Sequence, residues 1–503
     1  MARFAIVNST HSRNSTSMGL VYIATWLVHF GIMKREDVKI LDVYHHNVVN
    51  TLKDFNPDVI GLSAMTSTYP NAVDIAKQMR KEFPQAKIVI GGVHISTHTP
   101  SYDPALFDVA VIDEGEEACG VLMESYQKNG NRLVPEALNQ IAGLIYTDAN
   151  GGVVHTPKRP PIAVIDNIPM PDFSLLPDNF YRWDPDAIEL RRIGRYKVVD
   201  LFTSRGCPYA CAFCSTKVFW NTVRAHSPQR VVDEIERLYR SYAIDVFSIC
   251  DDLFSLNKKR IWDIANELEM RGLMGKVSFI CQARANQIDD ELCAAFKRMG
   301  MVNVTFGLES GSNTSLVTLK EGKVTAADNR RAIELLGKYG LGASGSFIIG
   351  APGETREEMN KTVAFMRWMS QQPNVLRFWY GVAIPLPNTD FWDMALEDGT
   401  VSDDRDQMDW KLLDLTHDHY DDLPKLWYTG AATQEDINEL FWEIKEIMEK
   451  LHFKVHVRHV PLLTIAINVL TKPHRLLHYA LVYLRAAVTT SFRVMKTRFA
   501  LSF

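Results

Sequence analysis

At 503 residues the chain is too long for one compact core and divides into domains. Its 46% hydrophobic and 23% charged residues are those of a globular protein in water, and its net charge of −5 excludes a general nucleic-acid binder, which carries a basic excess. No apolar run reaches the roughly 18 residues of a membrane span, "MARFAIVNST" reads as a strand and polar loop rather than a leader, and the odd-numbered, clustered cysteines indicate a reducing, cytoplasmic setting rather than a disulfide framework.

In residues 1–135, strands are expected at "RFAIVN", "VKILDVY", "DVIGLSA", "KIVIGG" and "VAVIDEGE". Amphipathic helices fall between them, including "GLVYIATWLVHFG", closed by Gly31, and "YPNAVDIAKQMRKEF". Alternation of this kind predicts an α/β domain with a doubly wound parallel sheet covered on both faces. Ligands of such sheets sit beyond the carboxyl ends of the strands, which singles out the loops at Ser63, Gly91–Gly92 and Glu114–Gly115. Residues 136–196 read as a linker: a hairpin around Asn150-Gly151-Gly152, then the Pro-rich "PPIAVIDNIPMPDFSLLP", extended across a surface.

From 197 to 395 the alternation resumes, with strands at "VVDLFTS", "VFSICDD", "VSFICQAR", "NVTFGLES", "GASGSFIIG" and "VLRFWYGV". Six such units predict a partial (β/α) barrel, whose chemistry gathers at the C-terminal strand ends. Residues 396–503 form a helical region. It holds an acidic, aromatic stretch (403–422), the helix "TQEDINELFWEIKEIMEKLHF", and a tail with nine Lys and Arg after Glu449 and no Asp or Glu. Leu476, Leu477, Ala480, Leu481 and Leu484 recur there at helical spacing between Arg475 and Arg485. A basic amphipathic helix of this kind either lies in a membrane interface, giving peripheral contact through residues 460–503, or packs on the barrel.

Cys207, Cys211 and Cys214 let one tight loop curl three thiolates around a metal centre. Three thiolates on a four-iron cluster leave one iron free to take a small molecule. Structural zinc would need a second Cys-x-x-Cys pair or a distant His. The run Cys207-Pro-Tyr-Ala-Cys211-Ala-Phe213-Cys214 resembles the CxxxCxΦC motif of the radical S-adenosylmethionine (SAM) enzymes. "GLESGS" (307–312) resembles that family's strand whose Glu contacts the SAM ribose and amino acid, and "GSFIIGAPGET" (345–355) its adenine-bordering segment. "DDLF" (251–254) stands where the family presents groups to the SAM amine, and Arg284 in "CQARAN" is placed to meet a carboxylate. The resemblance covers roughly 197–390. It implies a 4Fe-4S cluster on Cys207, Cys211 and Cys214, SAM bordered by Asp251, Asp252, Arg284, Glu309, Ser310 and Gly350, and an electron donor such as flavodoxin or ferredoxin. The chemistry implied is reductive cleavage of SAM to a 5′-deoxyadenosyl radical, which takes hydrogen from an inert C–H bond.

The N-terminal domain resembles cobalamin-binding domains of the methionine-synthase type. "SAM" at 63–65 stands in for Ser-x-Leu, Gly91-Gly92 follows at matching distance, and "NSTSMG" (14–19) occupies the place of Asp-x-His-x-x-Gly, with Asn14 for Asp and Thr16 for His. The usual axial imidazole is therefore missing. Either cobalamin binds without it or the domain does not bind cobalamin. In the first case Gly91 and Gly92 let the macrocycle approach, Ser63, Thr66 and Ser67 meet the nucleotide tail, and "VAVIDEGEE" adds Glu114 and Gly115. His11, His94 and His98 are further candidates for cobalt or ordinary hydrogen-bonded residues. Methylthiotransferases need three cysteines in this domain, and only Cys119 precedes Cys207. Cys250, Cys281 and Cys293 read as core packing.

The resemblance implies a cobalamin-dependent radical SAM enzyme, with methyl transfer to carbon of a small or lipid-like substrate as the leading reaction. A radical oxidoreductase or cyclase, and a non-catalytic cluster or corrinoid carrier, are the alternatives. "RFWYGV" (377–382) and residues 403–422 are candidate substrate-pocket segments.

Overall fold

The computed structural model describes residues 2–10, 18–43, 47–176, 181–184, 196–220, 222–413 and 433–459. His11, Asn14, Thr16, residues 414–422 of the acidic stretch and the tail from 460 lie outside these.

Strands β1 (Phe4–Asn8), β2 (Val38–Asp42), β3 (Val59–Ser63), β4 (Lys87–Gly91) and β5 (Val109–Val111) are parallel, in the order β2-β1-β3-β4-β5. All five residues of β1 are buried, as a continuous apolar run between two helical layers requires. β5 is shorter than "VAVIDEGE" suggests: Asp113 adopts φ +65° and the helix Gly115–Lys128 begins. The expected hairpin forms β6 (Leu144–Thr147) and β7 (Val153–His155), which extend the same sheet antiparallel. The Pro-rich segment after it runs across the barrel with one face exposed, at Pro161, Val164 and Asn167. Ile162, Ile165, Ile168 and Phe173 are buried in the core of the second sheet. A chain with about three residues per turn puts every third side chain on one face, and here that face is apolar.

The second sheet begins with β8 (Arg182–Asp184), antiparallel to β9 (Tyr196–Leu201). A two-stranded ribbon of β10 (Ser204–Arg205) and β11 (Arg224–Ala225) then leaves the sheet. β12 (Val246–Ile249), β13 (Ser278–Ala283), β14 (Met301–Glu309), β15 (Gly342–Ile349) and β16 (Val375–Val382) follow in parallel, giving the order β16-β15-β14-β13-β12-β9-β8. Six parallel strands make the partial barrel that the alternation predicts. Its helices start on sequence signals. Ser227 caps Pro228–Tyr242, and Thr355 with Glu358 forms a capping box on Arg356–Gln371. Helix Gln434–His459 packs Ile437, Leu440, Ile444 and Leu451 inward and ties to Arg356–Gln371 through Arg356–Asp436 and Arg367–Glu443 pairs. Among the described residues no helix is long and apolar enough to cross a membrane.

Met18 and Tyr22, on the helix Met18–His29 of the first unit, bury into the core of the second. The carboxyl-end loops of both sheets therefore meet.

Candidate active site

The cysteine loop leaves β10 through Gly206, at φ +96°. A Cβ there would stand 2.5 Å from the Thr222 carbonyl oxygen, so only glycine fits. Asp252 staples both ends of the loop: Gly206 N–H donates to Oδ2 at 2.8 Å and Thr216 Oγ1 to Oδ1 at 3.2 Å. Asp251 is buried, and its oxygens accept from Thr203 N–H (2.5 Å), Thr203 Oγ1 (2.5 Å) and Ser204 Oγ (2.6 Å). Burial pushes its carboxyl upward against those donors. Both aspartates thus shape the strand-to-cysteine connection. Mid-loop, Ala212 N–H donates to the Leu319 carbonyl at 3.2 Å, and Phe391 N–H to the Ala212 carbonyl at 3.2 Å. Cys207, Cys211 and Cys214 are half-buried free thiols, and burial raises Cys207 and Cys214. Among the described residues no three Cys, His, Asp or Glu side chains gather as ligands of a single ion would. Three thiols spread along one loop suit a cluster in which each holds a different iron.

Arg284, at the end of β13, donates from Nη1 to Cys211 Sγ at 3.3 Å and lies 3.9 Å above the Tyr209 ring. Its Nε is buried without a partner. An orphaned cationic donor beside the thiols fits an anionic ligand. Glu309 ends β14 in the left-handed region at φ +61°. Burial raises its carboxyl, while Lys320, 3.5 Å away and itself buried, and Arg284 lower it. Lys320 also donates to the Gly307 carbonyl. Ser310 is fully buried, hydrogen-bonded to Thr362 Oγ1 at 2.7 Å and accepting from Ser312 N–H at 3.0 Å, so it sets the turn. Gly350, at φ +76°, donates its N–H to Glu354 Oε2 at 2.8 Å, and Glu354 Oε1 accepts from Ser315 Oγ at 2.7 Å. Sequence reasoning missed Lys320. Glu354 stands in plain view inside "APGET", but nothing in that motif assigns it this role.

A cavity of about 310 Å³ lies between the two sheets. Ser63, Gly91, Gly92, Glu114, Gly115 and Asp252 all line it. Glycine makes the close walls: a Cβ on Gly115 would meet Ile23 at 2.8 Å, and Gly92 holds φ +101° with Ala64 O 2.6 Å from where a Cβ would stand. Tyr22 contributes to the lining, and its buried hydroxyl has no partner, which fits a polar ligand group. The predominantly apolar cavity with glycine walls fits a large flat cofactor. Thr66 is not on the cavity; its hydroxyl meets His94 Nδ1 at 3.3 Å. His94 and His98 face away from it. Both are buried, share Ser101 Oγ (2.9 and 2.8 Å) and pack on Trp410, and burial pulls both below the usual histidine range. Cys119 lines the cavity with its thiol pushed up to about 12 by burial, while Cys281 and Cys293 are core residues and Cys250 is half-buried.

One feature of the site has no local sequence signal. Arg205, two residues before Cys207, donates from Nη1 to Glu114 Oε1 and from Nη2 to Glu116 Oε1, each at 2.5 Å. Arg224 Nη1 also reaches Glu114, at 2.9 and 3.0 Å. The Glu114 carboxylate is thereby committed to arginines of the barrel rather than free in the cavity.

Residues 6–122 match the B12 binding domain family, and residues 201–366 the Radical SAM superfamily. The chain is 33% identical to an uncharacterised methyltransferase of Pyrococcus horikoshii over 388 residues, 75% of this chain and 78% of that protein. It is 28% identical to the anaerobic magnesium-protoporphyrin IX monomethyl ester cyclase of Cereibacter sphaeroides over 330 residues, 65% of this chain and 52% of the cyclase. Its fold matches the radical S-adenosylmethionine methyltransferase TsrM from Kitasatospora setae, solved with cobalamin and a 4Fe-4S cluster bound. The TM-score is 0.62 at 19% identity, covering 79% of this chain and 75% of that one.

Proposed function

We propose, from the premise that this chain belongs to the cobalamin-binding radical SAM enzymes, that it transfers a methyl group to an unactivated carbon of a small or lipid-like substrate. The enzyme uses a 4Fe-4S cluster, SAM and cobalamin. Cluster and SAM together supply a carbon-centred radical, and cobalamin supplies a methyl carrier. In this reading Cys207, Cys211 and Cys214 hold the cluster. The unpartnered Nε of Arg284 takes the SAM carboxylate, and Glu309, poised by Lys320, faces its ribose and amine. Gly350, held open by Glu354, leaves room for the adenine.

The observation that carries the reading is Asp252. It lines the cavity of the first sheet and staples the cysteine loop of the second, so the two cofactor sites share a wall. The similarity to a methyltransferase favours methyl transfer, and the similarity to a cyclase supports the runner-up, radical oxidation or cyclisation without a methyl group. Purified protein with cobalamin, a reductant and methyl-labelled SAM, given an extract of its host cells, decides between them. Label in a carbon-methylated product is expected. An unlabelled, dehydrogenated or ring-closed product would sink methyl transfer.

An electron donor of the flavodoxin or ferredoxin type and peripheral membrane contact through residues 460–503 belong to the same proposal. A chain ending at His459 is expected to lose co-sedimentation with anionic vesicles. Unchanged co-sedimentation removes the membrane role.

A further inference from the structure

The cysteine loop is the long connection of the β10–β11 ribbon, and that ribbon closes on two like charges. Arg205 and Arg224 are direct cross-strand partners. Two arginines opposite one another in an isolated ribbon repel. Here Glu114 sits between them and accepts from both, while Glu116 takes the second arm of Arg205. Side-chain exposure is 12% for Arg205, 8% for Arg224 and 6% for each glutamate, so water does little to screen the cluster. The charges balance, and Glu114 also accepts the Ile162 N–H at 2.7 Å. Both guanidinium groups lie 5.5–5.6 Å from the Trp220 ring, at the far end of the same loop. Glu114, Glu116 and Arg205 all line the cavity.

We propose that this four-residue cluster is a positioning latch: the cavity wall of the first sheet supplies the carboxylates that close the ribbon carrying the cluster cysteines. Arg205 and Glu116 are then positioning residues that fix the separation of the two cofactors. A buried ion network adds little net stability and much geometric definition; here Arg224 Nε is the one buried guanidinium nitrogen of the four residues left without a partner.

The test uses the full-length protein reconstituted with its cluster and loaded with cob(II)alamin. After reduction of the cluster, pulsed electron paramagnetic resonance reads the magnetic dipolar coupling between cobalt and cluster. Wild type is expected to give one narrow coupling. Glu116→Gln removes a charge on the wall remote from the cysteines. Arg205→Lys keeps the charge but replaces a planar fork, which spans two carboxylates, with a point donor. Each variant is expected to broaden the coupling about twofold or more while iron content stays at the wild-type value; the unfolding temperature falls in both, because a buried ion pair loses a partner. Wild-type coupling in both variants overturns the latch. So does loss of iron in Arg205→Lys accompanied by wild-type coupling in Glu116→Gln, because the arginine then serves only its own loop. No methyl transfer is followed, so failure of the proposed reaction and failure of the latch are read separately.

Discussion

The carboxyl edges of the two sheets meet across one cavity and are built in opposite ways. On the barrel edge the carboxylates are committed: Asp251, Asp252, Glu309 and Glu354 each meet named donors or an ion-pair partner. On the first sheet the edge is largely glycine and aliphatic surface around a volume; of its carboxylates, Asp113 pairs with Lys158 while Glu114 and Glu116 are tied to the barrel. The cluster side works through donors held in place, and the cobalamin side through room. Mutations should divide along the same line.

The largest effect falls on the donors. Replacing Cys207, Cys211 and Cys214 together by alanine is expected to abolish 5′-deoxyadenosine formation under reductant and to strip the protein of iron. Cobalamin affinity, measured by spectrophotometric titration, should survive. If cobalamin binding is lost too, the two edges are one site and the division fails. Arg284→Leu comes next. It removes the hydrogen bond to Cys211 Sγ and the orphaned donor together. Loss of an outer partner of a metal ligand costs about 10–100-fold, so SAM cleavage should fall by that factor while the iron stays. On the cavity side Gly91→Leu is the sharper probe. A Cβ on Gly91 meets nothing closer than the Val111 carbonyl oxygen at 3.5 Å, so the fold accepts it and the longer side chain occupies the cavity. Crowding of that kind costs about 1–3 kcal/mol, roughly 5- to 150-fold in cobalamin affinity. Iron content should not change.

What the sequence makes legible follows the same division. Donors announce themselves by spacing: the three cysteines, Glu309 in "GLESGS" and Gly350 in "GAPGET" stand out from the residues alone, as do six parallel barrel strands. A volume has no motif. Gly91 and Gly92 hint at one, but nothing local shows that Tyr22 and Cys119 also line it. Long-range pairs are equally silent: Arg205 and Glu114 lie 91 positions apart, and neither is unusual alone. His94 and His98 show the converse. They suggest metal chemistry because imidazole is a common metal ligand, yet both are hydrogen-bonded to Ser101 Oγ, packed on Trp410 and absent from the cavity lining. Asp251 is expected to face the SAM amine, yet the three donors that fill its oxygens come from residues 203–204, 48 and 47 positions upstream.

The effect least tied to either cofactor lies on the boundary itself. His226 follows β11 directly, is 5% exposed, and holds Asp166 of the Pro-rich segment through Nδ1 at 2.9 Å. Burial, with Arg230 and Arg205 nearby, pulls its pKa to about 4 despite Asp166, so the ring is neutral in the folded protein at neutral pH and donates to the carboxylate as a neutral group. Unfolded, it titrates near 6.5. A folded pKa below the unfolded one gives a stability contribution that is complete above about pH 6.5. It is lost as pH falls toward 4, because the unfolded chain takes up the proton first. The slope is about 1.4 kcal/mol per pH unit, or roughly 3 kcal/mol across that window. His226→Gln keeps a donor for Asp166 and has no proton to bind. Wild type and variant, compared by denaturant unfolding and by hydrogen exchange of the β10–β11 amides, should therefore converge or cross as pH falls from 7 to 4.5. A wild-type advantage that grows as pH falls would mean that the ring is charged when folded. The seam between the two edges would then be an ion pair, and acid would not loosen it.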